Sequence, residues 1–474
     1  PDPRILLPIT QDGEYTLQVT DILSRGRADF VYRLSLGALP RVTSIYPLGG
    51  PAGASTPIAL FGANLAQRTA KVDVPANGSG LAWVTTEAGG TQSNAMPFAI
   101  SDTPEGSDTE PNDSREAAQP VTLPITLNGR IDKPGDLDWF TFAATKGQKL
   151  VLEVTGRRLM SPLDSMLSLF DAKGSKLTEN DDTTDPNEQW LTHHADSLLV
   201  YTVPADGEYY LRLRDVQGKG GDEFAYRLTL KPAAPDFTLR ATPDNPRAGC
   251  GDSALITVQA NRKAGFNGPI NVVVRGLPKG FVASEAVIYP GQNTAVLTVT
   301  APRDAPPQVF NPTILGISEE GTQVTARAAV GAENVMQAFS LQQYPSTREI
   351  ALTVTEPGGF ALSLLNPPAG GLVIAQGAEV TLNIKITRAD GIKGGVFVRP
   401  AAPVNGVSVR SSYVPPDKDE APVVVSVSRG VAVGTKLNVI VGAVLKIGDV
   451  SYTRTLPAIP LRVTEAPKTP AAGK

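Results

Sequence analysis

A single cysteine, Cys250, in 474 residues excludes an internal disulfide and any thiol cluster able to hold zinc or an iron–sulfur centre. Cys250 itself reads as a small apolar packing residue. Histidine is nearly as scarce. His193 and His194 are the only two, and adjacent residues on a strand point to opposite faces, so they do not converge on one metal and read as structural or surface residues. Neither lies near a GxSxG nucleophile elbow, which the chain lacks, as it lacks an HExxH metalloprotease helix, a Walker-type phosphate loop and a GxGxxG turn between strand and helix. Paired carboxylates abound, but no module is large enough to set two across a glycosidase cleft. The chain is therefore expected not to be an enzyme.

Charge is also sparse, at 19% of residues. The net value of -4, from 43 basic and 47 acidic residues with both signs interspersed, leaves no basic stripe to neutralise a phosphate backbone and argues against nucleic acid as a partner. No run approaches the roughly 18 uninterrupted apolar residues of a membrane span. The sequence opens at Pro1 without a signal-peptide pattern, so an extracellular, cell-surface or periplasmic location is an expectation from the modules alone.

What is abundant is glycine and proline, 45 and 41 residues, which leave little room for long helices. The length exceeds what one core fills and suits three to five domains. Many short alternating segments with turn signals between them point to an all-β chain of tandem β-sandwiches.

An internal repeat organises the first half. Residues 12–36, DGEYTLQVTDILSRGRADFVYRLSL, match 206–230, DGEYYLRLRDVQGKGGDEFAYRLTL, at an offset of 194 with no gap and about half of the positions identical. Each copy reads as a hairpin, with Tyr15, Leu17 and Val19 alternating in one strand and Phe30, Tyr32, Leu34 and Leu36 in the other. A long partner region precedes the second copy and almost nothing precedes the first. Residues 1–38 are thus expected to be the C-terminal half of a truncated sandwich, poorly ordered or leaning on a neighbour.

Residues 39–101 contain RVTSIYPLGGPAGASTPIALFGANLA, which resembles the opening of an IPT/TIG domain, an immunoglobulin-like sandwich. A linker leads to a complete unit over 104–232. Two further immunoglobulin-like domains are expected at 236–331 and 350–465, with Ile256, Val258, Ile270, Val272 and Val274 inward in one and Val380, Leu382, Ile384 and Ile386 in the other. Residues 332–349 form a connector, within which 332–343, AENVMQAFSLQQ, fit helix or strand by periodicity, and 466–474 are expected to be a disordered tail.

The densest chemistry lies in DTEPNDSREAAQ and GRIDKPGDLDWFTF. Asp108, Glu110, Asn112 and Asp113 offer four oxygen donors within six residues, and Asp136 and Asp138 two more just before an apolar strand. Calcium takes six to eight hard oxygens in flexible geometry, which two such loops together would supply. The structural alternative is that Asn112 or Asp113 caps a short helix and that Asp136 and Asp138 are turn residues. A second acidic run, Glu179 to Asp182, reads as a solvated loop before it reads as a cation site.

EPND, GDLDWFTF, SPLDSMLSLFDAKGSKLTENDD, DGEYYLRLRD and EFAYRLTL, in this order and spacing, closely resemble the bacterial pre-peptidase C-terminal domain. The resemblance implies a jelly-roll-like β-sandwich carried by secreted proteins, often beside a peptidase. It also implies calcium at Glu110, Asn112, Asp113, Asp136 and Asp138, with Asp108 beside them. The collagen binding of some relatives does not carry over, because no recognition surface matches residue by residue. The reading that results is a non-catalytic accessory region of a secreted or surface protein with an extracellular protein or polysaccharide ligand. Two alternatives stand beside it: the C-terminal portion of a secreted peptidase whose catalytic domain lies upstream, and a carbohydrate-binding protein that stacks sugar on Trp190.

Overall fold

In a computed structural model the chain is built almost wholly of β-strands, in accord with the all-β tandem-sandwich expectation. The structure describes residues 3, 5–21, 24–26, 31–76, 80–101, 103–183, 195–321, 323–333, 335–336, 342–447 and 450–466. Trp190, His193 and His194, and the tail from 467 onward, lie outside the described residues, as does Phe30. Among the described residues no helix is long and apolar enough to cross a membrane.

Two compact units divide the chain, one of Pro1–Ala143, Glu153–Asp181 and Gly207–Leu230, the other of Ala144–Leu152, Asp182–Asp206 and Lys231–Lys474. In the first, residues 41–101 form a small sandwich of two three-stranded sheets. One is ordered Arg41–Tyr46, Ser55–Ala63, Thr69–Asp73 and the other Gly49–Pro51, Met96–Ser101, Gly80–Val84. Alternation places Ile58 and Leu60 inward against Ile45 and Phe98, each of which buries apolar area at about 25 cal/mol per Å². Leu159 and Ala225, from beyond the small sandwich, complete that core.

The strands after residue 104 form two five-stranded sheets. One runs Gln119–Pro120, Asp138–Ala144, Gly207–Asp215, Ser165–Asp171, Lys176–Asn180, and the other Leu198–Thr202, Lys149–Thr155, Ala225–Pro232, Ile125–Arg130, Glu105–Ser107. This order corrects the hairpin expectation. The two strands of the repeat, Gly207–Asp215 and Ala225–Pro232, do not pair with each other but enter the middle of opposite sheets, so the connection between them crosses the core as an arch. The reason is burial: Leu211 and Leu213 on one and Leu228 and Leu230 on the other face the same interior and are all buried.

The first copy of the repeat does not take this form. Among the described residues, 5–38 contain no strand, and Tyr15, Leu17, Val19, Tyr32, Leu34 and Leu36 are all exposed.

In the second unit, eight strands of residues 236–331 make one continuous sheet folded on itself, ordered Val282–Ala283, Thr294–Thr300, Ser253–Lys263, Asp236–Thr242, Gln323–Gly331, Thr313–Glu320, Ile270–Arg275, Ala286–Ile288. Ile256, Val258, Ile270, Val272 and Val274 are buried inside it as expected. The core extends past the expected boundary at 350. Ile350, Leu352 and Val354 pack into it, and Leu352–Thr355 pairs with Arg247–Gly249 and Gln308–Phe310. In the connector, Val335–Met336 pairs antiparallel with Gln342–Gln343, and the described residues 344–349 hold only an isolated bridge at Ser346.

The next core opens at Phe360 and gathers Leu382, Ile384 and Ile386, with Val380 partly buried at its edge. Within this unit, the Thr455 N–H donates to Asp252 Oδ1 at 2.7 Å, Asn438 Nδ2 to the Glu285 carbonyl at 2.7 Å, and the Lys436 N–H to the Tyr289 hydroxyl at 2.8 Å, tying the two sandwiches together.

Phe237 is fully buried with its ring 5.1 Å from that of Phe266, whereas Val309 is largely exposed. Phe237→Ala is expected to cost about 3–5 kcal/mol in urea unfolding of the 236–355 sandwich, against less than about 0.5 kcal/mol for Val309→Ala.

Candidate metal centre

The acidic stretch enters at the end of an edge strand. Glu105–Ser107 runs parallel to Ile125–Arg130, and the Asp108 N–H continues the pairing by donating to the Asn128 carbonyl at 2.8 Å. The chain then leaves the sheet, which lets Glu110 and Asn112 fold back. Asn112 is buried, its Nδ2 donates to Asp108 Oδ1 at 2.7 Å and its backbone N–H to Glu110 Oε2 at 3.0 Å. Its carbonyl accepts the Trp139 N–H at 3.1 Å, which holds the loop against the start of Asp138–Ala144.

Asp138 opens that strand on the inward face, in phase with Phe140 and Phe142. It is fully buried and accepts the hydroxyl hydrogen of Tyr226, which comes from the opposite sheet. Tyr226 reaches it only because its cross-strand partner is Gly129. A Cβ at that position would lie 2.3 Å from the phenol ring.

Six residues were expected to be ligands, and the structure sorts them. Asp108, Glu110 and Asp138 each present an oxygen within 4.8 Å of the others, and Asn112 is hydrogen-bonded to the first two. Asp136 is buried and accepts the Asp132 N–H at 2.7 Å, while Lys133 Nζ stands 3.5 Å from its other oxygen. Asp113 is half exposed and takes the same ammonium at 3.3 Å, so its carboxylate is committed to Lys133. The helix-capping alternative does not hold: Ser114, not Asn112 or Asp113, stands at the N-cap of the short 3₁₀ turn Arg115–Ala117, without a side-chain cap. In the second acidic run, Glu179 and Asn180 lie on the strand Lys176–Asn180 rather than in the expected loop, and Glu179 accepts from Lys176 at 2.7 Å and from Ser168 at 3.3 Å.

The electrostatics are those of a site short of positive charge. Burial, then the charge of Asp108, pushes the Asp138 carboxyl up to about 9. Burial, then Glu110, raises Asp108 to about 6. Glu110 and Asp136 are raised too, burial again leading, while the neighbouring Asp136 and Lys133 lower Asp113. Burial and the facing carboxylates keep the Tyr226 phenol protonated well above its usual range.

Within this cluster Asn112 Oδ1 and Asp138 Oδ1 are buried without a hydrogen-bond donor; Asp136 Oδ1, beside it, also lacks one but has the Lys133 ammonium at 3.5 Å. A buried acceptor left unsatisfied costs about 1–3 kcal/mol, more when charged. An all-oxygen donor set with spare lone pairs fits a hard cation such as calcium. Tyr226 is the member that sequence reasoning missed. Its signal was present, since Tyr32 occupies the same place in the repeat.

Comparison with known proteins agrees with this part of the chain. The family described as bacterial pre-peptidase C-terminal domain matches residues 136–215, which supports the resemblance read from the motifs. A probable subtilase-type serine protease of Deinococcus radiodurans is 36% identical over 107 residues, 22% of this chain and 14% of that protein. The chain thus spans only a small part of that relative's length. Among solved structures, the pre-peptidase C-terminal domain of a collagenase from Bacillus anthracis is 15% identical and covers 26% of this chain and 99% of that domain, with a TM-score of 0.19. A DUF4785 family protein from Legionella pneumophila is 12% identical and covers 70% of this chain and 91% of its own, with a TM-score of 0.17.

Raised carboxyls make the metal-free fold proton-dependent. The native state keeps protons on Asp138 and Asp108 that the unfolded chain has released, so their contribution is complete below about pH 4 and is lost as pH climbs towards about 9. In chelator-treated protein the denaturation midpoint of the 104–232 sandwich is expected to fall across this window, and Asp138→Asn to flatten the slope. An equal slope in wild type and variant would contradict the assignment.

Proposed function

We propose that the chain is a non-catalytic accessory region of a secreted or cell-surface bacterial protein, whose tandem sandwiches provide spacing, adhesion or proximity to a substrate. Calcium held by Asp108, Glu110, Asn112, Asp136 and Asp138 stiffens the 104–232 sandwich, with Asp113 and Lys133 at its rim. One observation carries the calcium reading: where Asp108, Glu110 and Asp138 converge, the buried Asn112 Oδ1 and Asp138 Oδ1 lack a donor. A divalent cation would satisfy these lone pairs and return the raised acids to their ionised forms. The accessory reading draws support from cores filled by apolar side chains and from the pre-peptidase C-terminal match, a domain typical of the C-terminal regions of secreted peptidases. We further assign residues 39–101 as an IPT/TIG-like module and the two C-terminal sandwiches as immunoglobulin-like.

A second reading is favoured by one observation, the partial match to a subtilase-type serine protease. On it, the chain is the C-terminal part of a secreted peptidase. A catalytic motif in the same reading frame upstream of residue 1 would establish this version, and the role given to the sandwiches would stand in either case.

Calcium that binds only the folded state adds about 2.7 kcal/mol at a free concentration 100 times its Kd. Scanning calorimetry is expected to show the 104–232 transition rising with calcium and falling with chelator, with the response lost in Asp138→Asn. A melting curve unmoved by calcium, with no heat on titration, would overturn the site. A hydrolytic activity of the purified chain that one point substitution abolishes would overturn the accessory role.

A further inference from the structure

Residues 13–21 and 31–36 stand at the same offset from two buried strands, 207–215 and 225–230, yet form no strand themselves, and all but the half-buried Asp21 are exposed. Agreement between the copies follows burial. Of the nine positions buried in the folded copy, only two differ, Val19 for Leu213 and Val31 for Ala225, and both exchanges keep an apolar side chain. Of the six positions not buried there, only Gly13 and Glu14 match. Matching concentrated at inward positions is the mark of a segment that packs in the same way.

The matched set includes three polar side chains that the folded copy buries against definite partners. Asp215, the counterpart of Asp21, accepts backbone N–H groups of Asp164 at 3.0 Å and Lys219 at 2.9 Å. Tyr226, the counterpart of Tyr32, donates to the Asp138 carboxylate. Arg227, the counterpart of Arg33, donates to Asn128 Oδ1 at 2.8 Å and Glu105 Oε1 at 2.5 Å. Buried polar groups persist only where partners satisfy them. Tyr226 is fully buried and Tyr32 is 73% exposed; Leu230 is fully buried and Leu36 is 72% exposed. Asp21 accepts the Arg25 N–H at 3.1 Å where it stands, but an exposed coil does not account for Tyr32, Arg33, Leu34 and Leu36 in this register.

We propose that residues 13–21 and 31–36 are donor strands of a second sandwich of the same kind, and that they dock on an acceptor half-sandwich. The occupant is a polypeptide with four strands in the pattern of Ile125–Arg130, Asp138–Ala144, Lys149–Thr155 and Ser165–Asp171, leaving one vacant central place in each sheet. It offers a carboxylate to the Tyr32 hydroxyl and an amide to Arg33, to which an edge strand in the pattern of Glu105–Ser107 adds an acid. A second copy of this chain is a poorer acceptor, because its two places already hold Gly207–Asp215 and Ala225–Pro232 at intramolecular effective concentration. The inference stands whether or not calcium binds.

The test is a transplant in the full chain, with the sequence of residues 12–36 written in place of 206–230. The chimera is expected to keep a cooperative melting transition for the 104–232 sandwich, and to lose it when Leu17→Asp and Leu34→Asp are added at the transplanted positions. As a second measurement, a fluorescent peptide of residues 10–38 is titrated against the full chain carrying Leu211→Asp and Leu228→Asp to vacate the slot, together with Leu17→Asp and Leu34→Asp to keep the chain's own copy of the segment out of it. Binding at least about 10-fold tighter than to the unaltered chain is expected, a difference of about 1.4 kcal/mol. A transplant without a transition, or equal binding to both chains, overturns the proposal. So does self-association of the unaltered chain that Leu17→Asp abolishes, since that assigns the segment to a second copy.

Discussion

A core strand of this chain such as Ser253–Lys263 or Glu379–Arg388 buries one row of side chains, and it does so only when a second sheet closes over that row. That requirement, more than local strand propensity, decides which alternating segments become strands. Residues 207–215 and 225–232 each enter the middle of a sheet, with strands on either side and an opposing layer to receive them, whereas the described residues 13–21 and 31–36, with the same inward pattern, form no strand. The same rule draws Leu352 and Val354 into the core that precedes them and leaves Phe360 to begin the next.

The acidic cluster depends on that closure as well. Asp138 is buried because it opens a strand whose next inward residues are Phe140 and Phe142, and its hydrogen-bond donor comes from the other sheet. A carboxylate placed there is desolvated, and its neighbours Asp108 and Glu110 add like charge, so the fold itself raises the proton affinity of the site. Residues next to Tyr226 carry the effect outward. Arg227 is bound to Asn128 and Glu105, the Asn128 carbonyl takes the N–H of Asp108, and Tyr46 of the small sandwich donates to that same carbonyl at 3.3 Å. Site and module junction therefore share one strand, Ile125–Arg130.

The chain read alone carried the class and much of the site. Scarce cysteine and histidine, abundant glycine and proline, and period-two alternation established a β-rich chain of modules, because these are local properties of the backbone and its side-chain rows. The acidic loops were legible as oxygen donors for the same reason. Which donors meet was not: Asp113 turns to Lys133, and Tyr226 joins from a distant strand.

Pairing lay equally beyond local reading. An alternating segment, a turn and a second alternating segment look alike whether the two arms hydrogen-bond to each other or arch across a core, since both arrangements bury the same side chains. Only the closed structure chose the arch, by supplying each arm of 207–232 with neighbours on both sides in opposite sheets.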